Sequence, residues 1–171
     1  GQQPMGSEVM MSQNPKFIVR AAGSFKQKEG CPIESIDSLS SNRLEYLCAG
    51  ECYNPSNERH IIERIEIVKI TPQEYAGEAI SPLINDAWKS ISCKGQSTCV
   101  VEFEDENYSR DSVYYVRAIQ ELTPAINGNN TTDSSEEFQL CKGSFRTDLE
   151  DNCLGNINER AWSSPIYLNK P

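Results

Sequence analysis

Residues 61–70 read IIERIEIVKI, and no other part of the chain indicates the fold class as clearly. The run is rich in β-branched residues, which are favoured in strands, and Thr71-Pro72 ends it. Alternation places Ile65 and Ile67 on one face, and the phase shifts at Ile67-Val68. We therefore predict a strand that contains a bulge or is buried on both faces.

Five more runs have the length and alternation of short strands, and turn residues separate them. Helix signals are few: one short helix is predicted around 36–47, with Asp37 or Ser38 as its N-cap. Pro165 lies inside the last strand-like run and marks an edge or a bulge. These features predict a mainly β chain that folds as an antiparallel β-sandwich. The five runs are 17–22, 88–93, 99–104, 112–121 and 162–168.

The run 112–121 places Tyr114, Val116 and Ala118 on one face, where we expect them to have structural roles. This Tyr-x-Val-x-Ala pattern, followed by the final SSPIYL, resembles the last two strands of immunoglobulin and fibronectin type III sandwiches. The resemblance implies an immunoglobulin-like sandwich in which Tyr114 makes a tyrosine-corner hydrogen bond.

The length of 171 residues suits one domain. Residues 1–15 are polar and aperiodic, so we predict a linker or lead-in there and a single sandwich domain over 16–171. The stretch 122–160 has little regular pattern and stands where such sandwiches have a short connection. We therefore predict a long insertion before the last strand.

The charge balance disfavours polyanionic partners. Sixteen basic and 25 acidic residues give a net charge of -9, and no dense basic patch interrupts it. Nucleic acid and anionic membrane surfaces are therefore not expected partners. No run approaches 18 apolar residues, and the N-terminus lacks the basic start and apolar run of a signal peptide.

Seven cysteines are many for a cytosolic protein of this length, so an oxidising compartment is favoured. A cytosolic chain with free thiols is the alternative. Structural zinc is disfavoured because the chain has no C-x-x-C and only one histidine, His60. Proximity predicts three disulfides and leaves one cysteine unpaired. The predicted pairs are Cys93 with Cys99, Cys48 with Cys52, and Cys141 with Cys153, which would pin the insertion, and the unpaired residue is Cys31.

Four stretches resemble the C-terminal end of a large bacterial family, domain-of-unknown-function family 3604. They are QPMGSEV near the start, RHIIERIEIVKITPQEY, VEFEDENYSRDSVYYVRAIQELTPAING after Cys99, and DNCLGNINERAWSSPIYL near the end. Members are much longer, and their N-terminal part resembles polymerase and histidinol phosphatase-type metal-dependent phosphoesterases. The chain has no H-x-H motif, so the metal-binding residues of that part have no counterpart here. The resemblance implies a trailing, non-catalytic region of an exported bacterial protein.

Carboxylates are plentiful, and two of them in a cleft are able to hydrolyse a glycoside. Alternation, however, places Glu102 and Glu104 on the solvated face of a strand. Asp148, Glu150 and Asn152 offer oxygen ligands at alternate positions, as a calcium loop does, but the central glycine and terminal glutamate of an EF-hand are missing. A calcium site and a solvated acidic loop both stay open.

The aromatic residues Trp88, Tyr114, Tyr115, Trp162 and Tyr167 either pack within strands or line a platform for a sugar. We expect packing, with structural roles for Trp162 and Tyr167 in the last strand.

These observations predict a non-catalytic accessory domain of a larger protein that is periplasmic or secreted. It would pack on the metal-dependent hydrolase-like domain of the same precursor and would itself bind no cofactor. The alternative is an independent extracellular module that binds a glycan or a surface protein. A third hypothesis is an enzyme that uses paired carboxylates.

Overall fold

The computed structural model describes residues 1–48, 52–125 and 155–171. Over these residues the chain is mainly β, so the predicted fold class is confirmed at that level. Two α-helices and a 3-10 turn at Ser81–Leu83 accompany the strands. The strands are β1 Glu8–Met10, β2 Lys16–Ala22, β3 Phe25–Glu29, β4 Tyr53–Arg59, β5 Ile62–Ile70, β6 Ile84–Gln96, β7 Thr98–Glu104, β8 Ser112–Ala125, β9 Gly155–Trp162 and β10 Ile166–Asn169, and the helices are α1 Ile33–Ser38 and α2 Ser41–Cys48.

The larger sheet has the strand order β1–β10–β8–β5–β6, and β9 also pairs with β8. All neighbours are antiparallel except β1 and β10. β10 and β9 follow the same side of β8 one after the other, because β5 occupies the opposite side. Pro165, which has no backbone donor, lies in the break between them, as its chemistry predicts. The Ser163 N–H donates a hydrogen bond to the Val116 carbonyl across the break, at 3.0 Å.

β5 lies in the centre of this sheet, between β6 and β8. Its register against β6 shifts between Ile62 and Arg64 and again between Ile67 and Lys69, and at both places the extra residues lie in β6. Against β8 the register is continuous from Arg64 to Ile70, so the bulge predicted in β5 at Ile67-Val68 is not formed there. Ile67 and its neighbour Val68 are both buried, which agrees with burial on both faces of the strand.

A second sheet, formed by β2 and β7, packs on the larger one. Phe17 lies opposite Phe103 in its register, and Val19 lies opposite Val101. These side chains point inward and alternate with exposed ones, as predicted, and Val19 and Val101 contact the core around Ile65. Complete burial of a side chain such as Ile65 stabilises the fold by roughly 1.5–3 kcal/mol.

The predicted Cys93–Cys99 disulfide is present, but the strands on either side of it do not pair with each other. β6 belongs to the larger sheet and β7 to the smaller one, so the bond joins the two layers. Lys94 and Gly95 adopt positive φ angles of 53° and 73° next to it, where the β6 register is irregular. This local kink accompanies the burial of Cys93.

Two predicted boundaries are wrong. The lead-in at 1–15 contains β1, which pairs in parallel with β10 and makes the N-terminal segment part of the larger sheet. The insertion predicted at 122–160 is shorter at both ends, because β8 extends to Ala125 and pairs there with the start of β9 at Gly155. Both errors arise because polar sequences without alternation form strands when a neighbouring edge supplies hydrogen bonds.

The helical segment also differs from its prediction. The single helix expected around 36–47 is two helices, and Leu39 between them has extended backbone. The proposed caps Asp37 and Ser38 lie inside α1. Neither helix in the described part of the chain has the length and apolar character that a membrane-spanning segment requires.

Candidate functional site

The chain between β2 and β5 forms an arm, defined here as residues 25–59. Among the described residues, its strands β3 and β4 pair only with each other, and α1 and α2 connect their far ends. Neither helix has a buried residue. The arm therefore presents side chains that the core of the molecule does not use.

Local sequence explains how the arm turns at its far end. Gly30 has a φ of 99°, which glycine adopts without strain, and its N–H donates to the Cys52 carbonyl at 2.8 Å. Asn54 Nδ2 donates to the Gly30 carbonyl at 2.8 Å. Pro32 then begins the helical segment, since its fixed φ suits a helix N-terminus.

The root of the arm, where residues 23 and 24 lie beside residues 59 and 60, is held by backbone contacts that leave little space. A Cβ at Gly23 would lie 1.8 Å from the His60 carbonyl oxygen, so only glycine fits there. Ser24 donates from its N–H and its hydroxyl to Gln120 Oε1, at 3.0 and 2.9 Å. Arg59 donates to the Gly23 carbonyl at 2.7 Å. The root is thus attached to β8 of the larger sheet.

His60 contributes to the same root. Its Nδ1 lies 2.9 Å from Glu121 Oε1, and the Ile61 N–H donates to that oxygen at 3.1 Å. The Ile61 N–H and the His60 ring hold the pKa of Glu121 below its usual range. The His60 side chain is 22% exposed and is bound to Glu121. In the described residues no hydroxyl or thiol hydrogen-bonds to this ring.

Three cysteines at the far end of the arm form a sulfur cluster: Cys31, Cys48 and Cys52. A disulfide joins Cys31 to Cys52. Cys48 has no disulfide partner among the described residues, and its Sγ lies 2.7 Å from Cys52 Sγ and 3.8 Å from Cys31 Sγ. The predicted Cys48–Cys52 pair and the unpaired Cys31 are therefore wrong in this arrangement. The predicted pair Cys141–Cys153 lies outside the described residues.

The pairing error has a physical reason. Sequence proximity favours the shortest loop, whereas β3 and β4 bring Cys31 and Cys52 to the same end of a two-stranded sheet. The three sulfur atoms lie within 4.8 Å of one another. Such a group is able to exchange disulfides or, when reduced, to offer three thiolate ligands to a soft metal ion.

The tip of the arm exposes several large apolar side chains. Large hydrophobic side chains project from both helices and from the turn between them, and the exposed fraction reaches 67% for Ile33 and 78% for Tyr46. Exposed apolar side chains on neighbouring elements are a feature that docking surfaces share. The tip side chains are Ile33, Ile36, Leu39, Tyr46 and Leu47.

A buried polar cluster at the opposite end of the core centres on Asp105. Lys69 Nζ and the Tyr114 hydroxyl both donate to Asp105 Oδ2 at 2.5 Å, and the Asn107 N–H donates to Oδ1 at 3.0 Å. Tyr114 bonds to a side chain, so the backbone hydrogen bond of a tyrosine corner is not formed. Sequence alternation does not reveal this cluster, because Asp105 follows the end of β7.

Electrostatics explain why the cluster is charged. Burial alone would raise the pKa of Asp105, but Lys69, Tyr114 and the Asn107 N–H together hold it below its usual range. Burial and the neighbouring Asp105 carboxylate raise the pKa of Tyr114. The carboxylate therefore accepts three hydrogen bonds while Lys69 balances its charge.

The remaining predicted residues separate into buried and exposed groups. Val116 packs on the core, and Ala118 lines a groove beside β2. Trp162 and Tyr167 were expected to pack, but they are 61% and 45% exposed. Trp88 packs against the core and lies edge-on to Tyr114, so the aromatic residues do not form one platform.

The acidic residues also differ among themselves. Glu102 is exposed, as alternation predicts, whereas Glu104 is partly covered and pairs with Lys16 at 3.4 Å. The calcium hypothesis falls on Asp148, Glu150 and Asn152, which lie outside the described residues.

No protein-family model, no curated protein and no solved structure matches the chain.

Proposed function

We propose that this chain is a non-catalytic accessory domain of a larger exported protein and that the tip of the arm docks on another domain of the same precursor. The observation that carries the proposal is the set of exposed apolar side chains on α1 and α2. Water contact with this surface is unfavourable by about 25 cal/mol per Å², so a covering surface stabilises the protein.

Export is supported by the two disulfides among the described residues, since disulfides persist mainly outside the cytosol. The resemblance to domain-of-unknown-function family 3604 supports a preceding domain that is similar to metal-dependent phosphoesterases. This domain is the partner that we propose for the tip.

The strand order supports an immunoglobulin-like sandwich for the body of the chain. In that family one sheet has the strand order G-F-C-C′, in which G is the last strand and F the penultimate one. This sheet faces a second sheet that contains strands B and E. Here β9 and β10 together correspond to G, β8 corresponds to F, β5 to C and β6 to C′. The facing sheet consists of β2 and β7, which correspond to B and E. The arm is then an insertion between strands B and C.

The docking proposal is tested by hydrogen exchange on the full-length precursor and on this chain alone. We expect the amides of α1 and α2 to exchange more slowly in the precursor. The double variant I36D/Y46D should restore fast exchange, because charged side chains oppose burial of the tip. The control I80D changes another exposed isoleucine outside the arm and should leave the protection intact.

Equal exchange of the tip in the two proteins, or the same loss of protection in I80D, contradicts the proposal. The upstream coding sequence is an independent check. Histidine and aspartate clusters there support a metal-dependent hydrolase-like partner, whereas a signal peptide that leads directly into Gln2 removes it.

A second candidate function is an independent module that binds a glycan. It is favoured by one observation, the 61% exposure of Trp162 beside the groove that β2 and β9 line. Aromatic faces pack on the apolar faces of sugars. Titration of the isolated chain with oligosaccharides should then change its tryptophan fluorescence, and W162A should abolish the change while the exposed control Y75A keeps it.

A further inference from the structure

We propose that the sulfur cluster is an intramolecular thiol–disulfide exchange site. In this site Cys48 attacks the disulfide between Cys31 and Cys52, so that the bond alternates between Cys31–Cys52 and Cys48–Cys52. The inference rests on the geometry of the arm and is independent of any docking partner.

The distances favour one route of attack. Cys48 Sγ lies 2.7 Å from Cys52 Sγ but 3.8 Å from Cys31 Sγ, so Cys52 is the nearer electrophile. All three side chains are partly exposed, and solvent is therefore able to take the proton from the attacking thiol. The residue that receives the attack belongs to both disulfides, and Cys31 is the leaving group.

The exchange balances within the chain. The Cys48 thiol gives its proton to water, and the thiolate forms the new Cys48–Cys52 bond. The Cys31–Cys52 bond breaks, its electron pair leaves on Cys31, and Cys31 takes up a proton. One disulfide and one thiol are present before and after, so no oxidant or reductant is needed.

The two pairings constrain the arm differently. Cys31–Cys52 ties the end of β3 to the start of β4 across 21 residues and encloses both helices. Cys48–Cys52 would enclose only the short segment after α2, and the Cys31 end would be held by the hydrogen bond from the Gly30 N–H to the Cys52 carbonyl. Exchange therefore changes how firmly the apolar tip is held.

The pairing is measured by peptide mapping after thiols are blocked with N-ethylmaleimide at acidic pH. Cleavage after glutamate yields the peptides 30–34, 46–51 and 52–58, each with a single cysteine of the cluster. We expect two linked species, 30–34 with 52–58 and 46–51 with 52–58. Transfer from acid to higher pH should speed their interconversion, because the thiolate is the attacking species.

Three variants and an internal control sharpen the test. C48S should keep only Cys31–Cys52 at every pH, and C31S should form only Cys48–Cys52. The Cys93–Cys99 pair should stay intact in all samples, since it lies in the core. C52S should form neither linked species, since the residue common to both disulfides is absent.

Two outcomes overturn the proposal. One is a wild-type chain in which, at every pH, the peptide 30–34 is linked to 52–58 and no peptide 46–51 is linked to 52–58. The other is a disulfide from Cys48 to the peptide 138–150 or 151–159, which carry Cys141 and Cys153. If C31S does not fold, the comparison of wild type with C48S still distinguishes exchange from a static bond.

Discussion

Asp105 shows how much a single residue decides in this protein. Its carboxylate lies at the point where β7 ends and joins the side chains of Lys69 on β5 and Tyr114 on β8. Both sheets therefore meet at one buried charge. A buried ion pair of this kind adds little net stability, but loss of one partner leaves the other charge uncompensated.

The variant D105N should lower the free energy of unfolding by about 3 kcal/mol, because Lys69 would keep a charge without a carboxylate. Y114F should cost about 1 kcal/mol, the usual contribution of one hydrogen bond. Urea denaturation checks both values. E102Q, on the exposed face of β7, should stay within about 0.5 kcal/mol of wild type, and an equal loss in E102Q and D105N would contradict this assignment.

Gly23 is the second residue with a decisive position. In G23A the new Cβ meets the His60 carbonyl, so the root of the arm must move. We expect faster hydrogen exchange in β3 and β4 and little change in β5. G77A is the matched control, since its Cβ has open space and only the left-handed φ of 92° is disfavoured. Unchanged exchange of the arm in G23A would show that the root tolerates a side chain.

At the scale of elements, the sequence predicts strands well where one face is apolar. β2, β5, β7 and β8 were found because alternation is a local pattern that burial on one face imposes. β3 and β4 were missed, since their polar sequences are stabilised by each other and by the root contacts to β8. The helices were misplaced because exposed apolar residues on a short helix mimic the pattern of a buried one.

The loop between β5 and β6 contains a carboxylate, Glu78, whose pKa reports whether its contact with Arg110 is formed. Arg110 binds both carboxylate oxygens of Glu78, at 2.8 and 2.9 Å, and Glu74 at 3.0 Å. The hydrogen bonds from Arg110 and from the Glu74 N–H lower the pKa of Glu78 to about 2. The contribution of this contact is therefore complete above the ordinary pKa of 4.5 and is lost as the pH falls through about 2.

An NMR titration of the Glu78 carboxyl checks this direction. We expect a midpoint near pH 2 in the wild type and a higher midpoint, still below 4.5, in R110Q, which lacks the guanidinium but keeps the hydrogen bond from the Glu74 N–H. R117Q removes an arginine that instead contacts Glu66 and Asp86, so its Glu78 midpoint should match the wild type. An ordinary midpoint in the wild type would mean that the contact does not persist in solution.

At the scale of the whole molecule, the Cys93–Cys99 bond joins the two layers of the core. Its removal in C93A/C99A should lower the free energy of unfolding by about 2 kcal/mol, as expected for a short closed loop, with a further loss from the smaller core side chains. Thermal unfolding of the wild type and the variant measures the loss. An unchanged transition in the variant would show that the layers do not depend on the bond.

Local patterns in the chain were sufficient for its mainly β class, its central strand buried on both faces, the break at Pro165 and the Cys93–Cys99 pair. Each of these follows from residues that are neighbours in sequence, where alternation, a missing backbone donor or a short loop acts directly. The Cys31–Cys52 bond, the charged contacts of Asp105 and the glycine at the root of the arm emerged only from the folded chain. They join residues that are distant in sequence, and their free energies depend on distances that packing establishes after the strands have formed.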